Sequence, residues 1–132
     1  MADYHGYITT NNFQVTSEQE LRDLVSRIDC EDEIEISSCT KKGKTYYYLC
    51  ACGNFYGLIG DNDSKGLYKE FQKILPDGEV LALIEIGHEK LRYVKGSTTV
   101  ITNKTYQSKS LHNIATKMAR TITNNPAYEL NI

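Results

Sequence analysis

Strand-like segments follow one another at hairpin distance in this 132-residue chain, and this spacing limits the folds open to it. Ile34 and Ile36 alternate with acidic residues, and the turn-like residues 41–44 separate them from a second strand-like run at 46–51. Parallel pairing needs a crossover of a dozen or more residues, so we predict that these two runs form an antiparallel hairpin. We predict an α+β fold, a mainly antiparallel sheet of five or six strands with about three helices packed on one face.

Three segments have the start signals and the apolar period of helices. Ser17 and Glu20 form the S-x-x-E capping box, which satisfies backbone donors at a helix start. The polar turn 61–64 and Ser110 can cap two later helices. Apolar residues then recur at helical spacing, namely Leu21, Leu24, Val25 and Ile28, then Leu67, Phe71 and Ile74, and finally Leu111, Ile114, Ala115, Met118 and Ile122.

The remaining strands are predicted from composition and alternation. Residues 7–15 are rich in Thr, aromatic and β-branched side chains, which favours a strand. Residues 80–84 are apolar on both faces, which is typical of a strand in the centre of a sheet. A turn at Gly96 is predicted to separate a strand at 91–94 from another at 98–105.

The composition indicates one soluble domain. Apolar residues make up 40% and charged residues 24% of the chain, which is a globular composition. We expect a single domain over 1–132, whose last residues, 126–132, form a loose tail. No apolar run approaches the ~20 residues of a membrane span, and the N-terminus lacks the basic and apolar regions of a secretory signal. We therefore expect a cytoplasmic protein without a membrane partner.

Charge is unevenly divided along the chain, although the net charge is only −2. Residues 1–40 hold nine acidic and two basic residues, whereas residues 41–132 hold eight acidic and thirteen basic residues. One interpretation is two oppositely charged surfaces, on a steered monomer or on a self-complementary homo-oligomer. The other is a basic face for phosphate or for an acidic partner. The acidic cluster comprises Asp29, Glu31, Asp32, Glu33 and Glu35, and the basic residues concentrate from Lys90 to Arg120.

The sequence gives no support for enzymatic chemistry, and we predict neither an enzyme nor a cofactor. It contains no G-x-S-x-G, no H-E-x-x-H and no phosphate-binding glycine loop. Glu85 and His88, near the end of a predicted strand, are ingredients of an acid–base pair. No motif supplies a third group, so this pair is a minor alternative.

The cysteines are expected to be inert thiols. Their spacing lacks the paired C-x₂₋₄-C arrangement of zinc sites. In a reducing cytosol four reduced thiols are the ordinary outcome, with a disulfide or a metal site as alternatives. For either alternative the relevant residues are Cys39, which can face Cys50 across the hairpin, and Cys52, which shares a strand face with Cys50.

Tyrosines of the hairpin are the first candidates for partner binding. Tyr46 and Tyr48 share one face of the predicted strand, whereas Tyr47 points to the other face. Tyrosine is enriched at interfaces because its ring buries area while its hydroxyl stays hydrogen-bonded. The alternative is that the pair packs under a helix.

Charged residues are the second candidates. Lys90, Arg92 and Lys95, beside Tyr93, are predicted to form a cationic docking patch, unless Arg92 pairs with an acid on a neighbouring strand, such as Glu85. If the chain instead imitates DNA, the imitating residues are the acidic cluster, of which we single out Asp29, Glu31, Asp32 and Glu33.

Two stretches resemble a known family. They are residues 10–15 continuing into 17–21, and residues 77–80 followed by 85–96, in which 89–93 read Glu-Lys-Leu-Arg-Tyr. Together they resemble a family of small, functionally uncharacterised proteins encoded by bacterial phages, plasmids and other mobile elements. The resemblance implies a non-enzymatic accessory that binds a host or defence-system protein, for instance as an anti-CRISPR-like inhibitor. The alternative is a nucleic-acid-binding accessory domain that uses the basic C-terminal third.

Overall fold

A computed structural model describes residues 4–89 and 93–130 of the chain. In this part of the chain six strands and three helices follow one another in the order β-α-β-β-α-β-β-β-α. They are β1 (Tyr4–Thr10), α1 (Glu18–Ser26), β2 (Glu35–Lys41), β3 (Lys44–Ala51), α2 (Ser64–Ile74), β4 (Leu81–Glu89), β5 (Tyr93–Ile101), β6 (Tyr106–Ser110) and α3 (Leu111–Thr123).

The six strands form one sheet in the order β2-β3-β1-β4-β5-β6, and every neighbouring pair is antiparallel. The predicted α+β fold is therefore confirmed. β1 and β4 lie in the middle of the sheet and pair over seven residues, from Tyr4 opposite Glu89 to Thr10 opposite Leu83. The strand predicted to be central from its apolar run is β4, and it lies between β1 and β5.

The hydrophobic core lies between the sheet and the first two helices. α1 contributes Leu21 and Leu24, and α2 contributes Leu67, Phe71 and Ile74, all buried. These helices begin where the sequence predicts, since the Ser17 side chain accepts from the Glu20 backbone N–H and Asp63 caps α2. The strands add a buried set to the same core, namely Ile8, Tyr47, Leu49, Ala51, Leu81, Leu83 and Ile101.

The β2–β3 hairpin closes through a two-residue turn. Lys41 pairs with Lys44, and both Lys42 and Gly43, between them, have positive φ angles of 53° and 76°. Two consecutive positive φ angles define the type I′ turn, whose twist matches that of the flanking strands. The predicted antiparallel hairpin is thus present with its lysines at the tip.

The first strand differs from its prediction. β1 ends at Thr10, and Phe13, which was expected inside a strand over 7–15, makes only an isolated bridge with Tyr47. The cause is Asn11, whose side-chain amide donates to the Val80 carbonyl and accepts from the Ala82 N–H, both at 2.8 Å. These two side-chain bonds replace the backbone pairing that would have continued the strand.

The prediction of a turn at Gly96 is wrong. β5 runs through Gly96 without interruption, and the chain turns instead at 102–105, where the Thr102 N–H donates to the Thr105 carbonyl. A sixth strand then follows before α3. A Cβ on residue 96 would lie 2.6 Å from Leu111 Cδ1, so glycine is used there to admit a side chain of α3 rather than to turn the chain.

The two faces of the sheet are covered unequally. We call the face packed on α1 and α2 the helix face, and the opposite one the open face. Along β4, Leu81 and Leu83 are buried on the helix face, whereas Ile84 and Ile86 on the open face are 46% and 49% exposed. α3 packs its first residue, Leu111, on the open face at Gly96.

After α3 the chain folds back. Asn124 ends the helix in the left-handed conformation, and the Arg120 Nε–H donates to the Tyr128 carbonyl at 2.9 Å. The sequence predicts a loose tail over 126–132; of this segment the structure describes residues up to 130, and this bond holds Tyr128 to α3. No helix among the described residues is long and apolar enough to cross a membrane.

Candidate functional site

The open face carries the hairpin tyrosines. Strand alternation places Tyr46 and Tyr48 on it, half-buried, and turns Tyr47 into the core, where its hydroxyl donates to Glu18 Oε1 at 2.8 Å. Tyr46 lies opposite Cys39, and Tyr48 lies opposite Ser37. The two tyrosines therefore do not pack under α1 or α2.

Two histidines and a third tyrosine extend this aromatic surface; of these the sequence singled out only His88, and in a different role. His5 and His88 are direct cross-strand partners with ring centroids 5.3 Å apart, and Tyr7 stacks on His88 at 6.4 Å. Alternation between exposed His5, Tyr7 and Thr9 and buried Ile8 was the available signal. The strand predicted over 7–15 begins at Tyr7, so it leaves His5 outside this alternation.

A cavity opens where β3 stops pairing with β1. It has a volume of about 390 Å³, and we call it the acidic notch. Three carboxylate residues and a tyrosine of the open face share its wall. Its lining comprises Tyr7, Ile8, Asp32, Glu33, Glu35, Cys50, Ala51 and Cys52. The acidic segment predicted from the sequence is thus brought next to the aromatic surface.

Glu31, one of the acidic residues predicted to bind a partner, has a structural role. The Glu31 carboxylate accepts from the backbone N–H of buried Asn54 at 2.9 Å and from the Tyr56 hydroxyl. Burial of the Tyr56 side chain and, to a smaller extent, its hydrogen bond to Glu31 raise the pKa of the Tyr56 hydroxyl above its ordinary value. Asp29 is held to the same segment by its backbone: its N–H donates to the Gly57 carbonyl, and its carbonyl accepts from the Tyr56 N–H. Asp32 and Glu33 remain at the notch.

The hypothetical acid–base pair of Glu85 and His88 is not formed. The two residues are three apart on one strand, so they point to opposite faces of the sheet. Glu85 lies on the helix face, where it accepts from the Phe55 N–H at 3.2 Å, and burial raises its pKa. His88 lies on the open face with His5.

The predicted cationic patch is divided. Lys90 and Arg92 lie outside the described residues, as does Leu91. Lys95 is on the helix face, where its Nζ is 5.1 Å from the centroid of the Tyr4 ring and its charge favours the ionised form of Glu85. Tyr93 is on the same face and half-exposed.

Basic residues further along the chain line a second cavity. This cationic groove, of about 710 Å³, lies between β6, α3 and residues 129–130. Glu129 is the acidic residue in its wall. The basic and imidazole side chains of the groove are Lys109, His112, Lys117 and Arg120.

The four cysteines are free thiols. Cys39 faces Tyr46 rather than Cys50, and Cys50 faces Glu35, whose Oε2 lies 3.5 Å from its Sγ. Cys39 therefore does not face Cys50, as the disulfide alternative between them required. Burial raises the pKa values of Cys30 and Cys50, which keeps both in the weakly nucleophilic thiol form at neutral pH. Within the described residues no group of three or more His, Cys, Asp or Glu is placed to hold a metal ion.

Comparisons with family models, with curated proteins and with solved structures found no match for this chain.

Proposed function

We propose that this protein is a non-enzymatic binding protein that docks on a basic surface of another protein. The observation that carries the proposal is the acidic notch, whose wall includes Tyr7 of the open face and Cys50, two residues from Tyr48 on the same face of β3. Carboxylates in a concave site attract Lys or Arg side chains, and neighbouring tyrosines supply rigid contact area. The combination fits the cationic side chains of a protein better than it fits a nucleic acid, which the carboxylates repel.

The resemblance to proteins of phages and mobile elements supports a particular class of partner. We infer a host or defence-system protein as the partner, and inhibition as the effect of binding. Enzymes that act on nucleic acids have basic surfaces, and an acidic docking site can occupy such a surface. The net charge of −2 argues for this local contact rather than for imitation of DNA by the whole chain.

The test is capture of a stoichiometric partner from a lysate of the bacterial host, followed by affinity measurements on variants. Glu33→Gln with Glu35→Gln should weaken binding about tenfold, at ~0.5–1 kcal/mol for each interfacial charge. The matched control is Glu20→Gln with Asp23→Asn, which removes the same charge from exposed positions of α1. Equal affinities for the two double variants would exclude the notch.

Tyrosine variants test the aromatic half of the site. Tyr48→Ala should weaken capture of the same partner, whereas Tyr128→Ala, at a half-exposed tyrosine beyond α3, should leave it unchanged. Failure to recover any stoichiometric partner would count against the whole proposal.

Nucleic-acid binding is the second candidate, and the cationic groove favours it. A groove lined by Lys109, Lys117 and Arg120 suits phosphate contacts, whose strength falls steeply with salt. A gel-shift at low salt, repeated at higher salt, tests this candidate. Lys109→Gln with Lys117→Gln should abolish the shift, whereas Lys41→Gln with Lys44→Gln at the hairpin tip should keep it. No shift at micromolar protein would refute nucleic-acid binding.

A further inference from the structure

The last strand of the sheet has one free edge. β5 pairs with one side of β6, and no strand of the described residues pairs with the other side. The turn before β6 is closed by the hydrogen bond from the Thr102 N–H to the Thr105 carbonyl. Because hydrogen-bonded and non-hydrogen-bonded pairs alternate along an antiparallel ladder, Tyr106 and Ser108 direct their backbone N–H and C=O groups away from β5. The edge therefore presents a row of donors and acceptors that a further strand could pair with.

α3 makes this edge one wall of a groove. The cationic groove, of about 710 Å³, has Gln107, Ser108 and Lys109 of β6 on one side and the polar side of α3, with Asn113 and Lys117, on the other. The two walls are similar in length, since the five residues of β6 extend about 17 Å and the 13 residues of α3 about 20 Å. The groove can therefore receive an extended peptide that adds to the sheet edge, which is a recurring mode of peptide recognition.

We propose that the edge of β6 binds an extended acidic segment of another protein by strand addition. The backbone of the segment pairs with the outward N–H and C=O groups of Tyr106 and Ser108. Alternate side chains of the segment then point to the face that carries Lys109, which is the open face, where α3 begins. The contact uses β6 and α3 and attracts acidic groups, so it goes beyond the proposed docking of the acidic notch on a basic surface.

The charge of the groove selects an acidic segment. Its wall carries Lys109, Lys117 and Arg120 against the single carboxylate of Glu129. The Arg120 Nε–H is bonded to the Tyr128 carbonyl, which holds the guanidinium at the wall without neutralising its charge. Three ion pairs form among the described residues, and none of them includes a basic residue of the groove. These cations can therefore pair with carboxylates of a ligand, which favours acidic over basic segments.

The free edge favours a peptide over a nucleic acid as the occupant. A peptide backbone has both donors and acceptors, so it can satisfy the N–H and the C=O groups of the edge together. Phosphate oxygens accept hydrogen bonds and donate none. A phosphate backbone laid along β6 would therefore leave the outward carbonyl oxygens of Tyr106 and Ser108 unpaired and close to its negative charge. Nucleic acid is the alternative occupant that the charge of the groove allows, and the experiment distinguishes the two.

An NMR titration of the isotope-labelled native chain tests the proposal. The probe is a soluble peptide of about ten residues in which Glu alternates with Thr, a length that covers the edge of β6. The amide signals of Tyr106 and Ser108 should shift more than that of Ser38 on the other edge strand, β2, with a dissociation constant below ~1 mM. No shift at ~1 mM peptide, or equal binding of a peptide with Lys in place of Glu, would overturn the proposal. So would tighter binding of a single-stranded oligothymidylate that carries the same number of charges.

A fully N-methylated form of the peptide separates strand addition from attraction between charges. It keeps every carboxylate but has no backbone N–H to donate to the edge, so its dissociation constant should be at least about fivefold higher. Equal affinities of the two peptides would show that charge alone holds the segment, and strand addition would be wrong.

A proline variant makes the same test on the protein. Ser108→Pro removes the outward N–H, and proline is tolerated on an edge strand where the N–H faces solvent. It should raise the dissociation constant at least about fivefold. Ser38→Pro is the matched control on β2, since the Tyr47 N–H opposite it donates to Phe13 and the Ser38 N–H also points outwards. Circular dichroism checks both folds; equal affinities of the two folded variants would refute the edge, and if Ser108→Pro is unfolded the N-methylated peptide decides.

Discussion

Removing the Glu31 side chain is expected to cost stability rather than partner affinity. Its carboxylate accepts from the backbone N–H of Asn54, a residue only 5% exposed, and from the Tyr56 hydroxyl. In Glu31→Ala the Asn54 donor loses its partner inside the protein, which costs about 1–3 kcal/mol. The Tyr56 side chain is only partly buried, at 40% exposure, so its hydroxyl can bind water instead and the loss of its bond to Glu31 adds little. We expect a total near 2 kcal/mol.

Urea denaturation followed by circular dichroism measures this loss. With an m-value of ~1.5 kcal/mol/M, 2 kcal/mol lowers the midpoint by about 1.3 M. Glu33→Ala is the matched control, since it removes the same charge from the wall of the notch, and its midpoint should change by less than ~0.3 M. Equal midpoints for the two variants would show that the Glu31 bonds do not hold the segment 53–56 to the loop before β2.

Three further variants test the core, the hairpin and a buried charge. Phe71→Ala, at a fully buried position, should lower the free energy of unfolding by about 3–5 kcal/mol in urea titration. Gly43→Ala should lower it by about 1 kcal/mol, because residue 43 has a φ of 76°. Burial raises the pKa of Glu85 above its ordinary value of 4.5, so its contribution to stability is present below pH ~4.5 and lost as pH rises through the folded-state value. Glu85→Gln should therefore remove this pH-dependent loss of stability. The difference between the urea midpoints of the native chain and the variant should grow as the pH rises from 4 to 7.

Local signals predicted the elements that depend on local physics. The Ser17 cap and the stripe through Leu21 and Leu24 are found in α1, because capping and amphipathic period act within a few residues. The hairpin follows from its short connection and its lysine–glycine turn. β1 and β5 were misplaced because distant residues decide them. Asn11 ends β1 by bonding across to β4, and Leu111 makes Gly96 an interior strand residue.

The candidate site was predicted in part. Alternation gave the shared face of Tyr46 and Tyr48, and the acidic cluster was visible as composition. The Glu31 carboxylate accepts from the Asn54 N–H within a loop. A loop has no apolar period, so this contact could not be predicted from the sequence pattern. The separation of Glu85 from His88, in contrast, follows from the odd spacing of three residues on one strand, and the sequence alone contained that argument.

Amphipathic patterning specifies that a surface must be covered, and it does not specify which chain covers it. The stripes of α1, α2 and α3 have the same period, yet only the first two are buried within their own chain. β4 likewise has apolar residues on both faces, and the two helices cover one of them. The apolar period of α3 therefore predicted a helix correctly, whereas the burial of that helix depends on packing that the period does not encode.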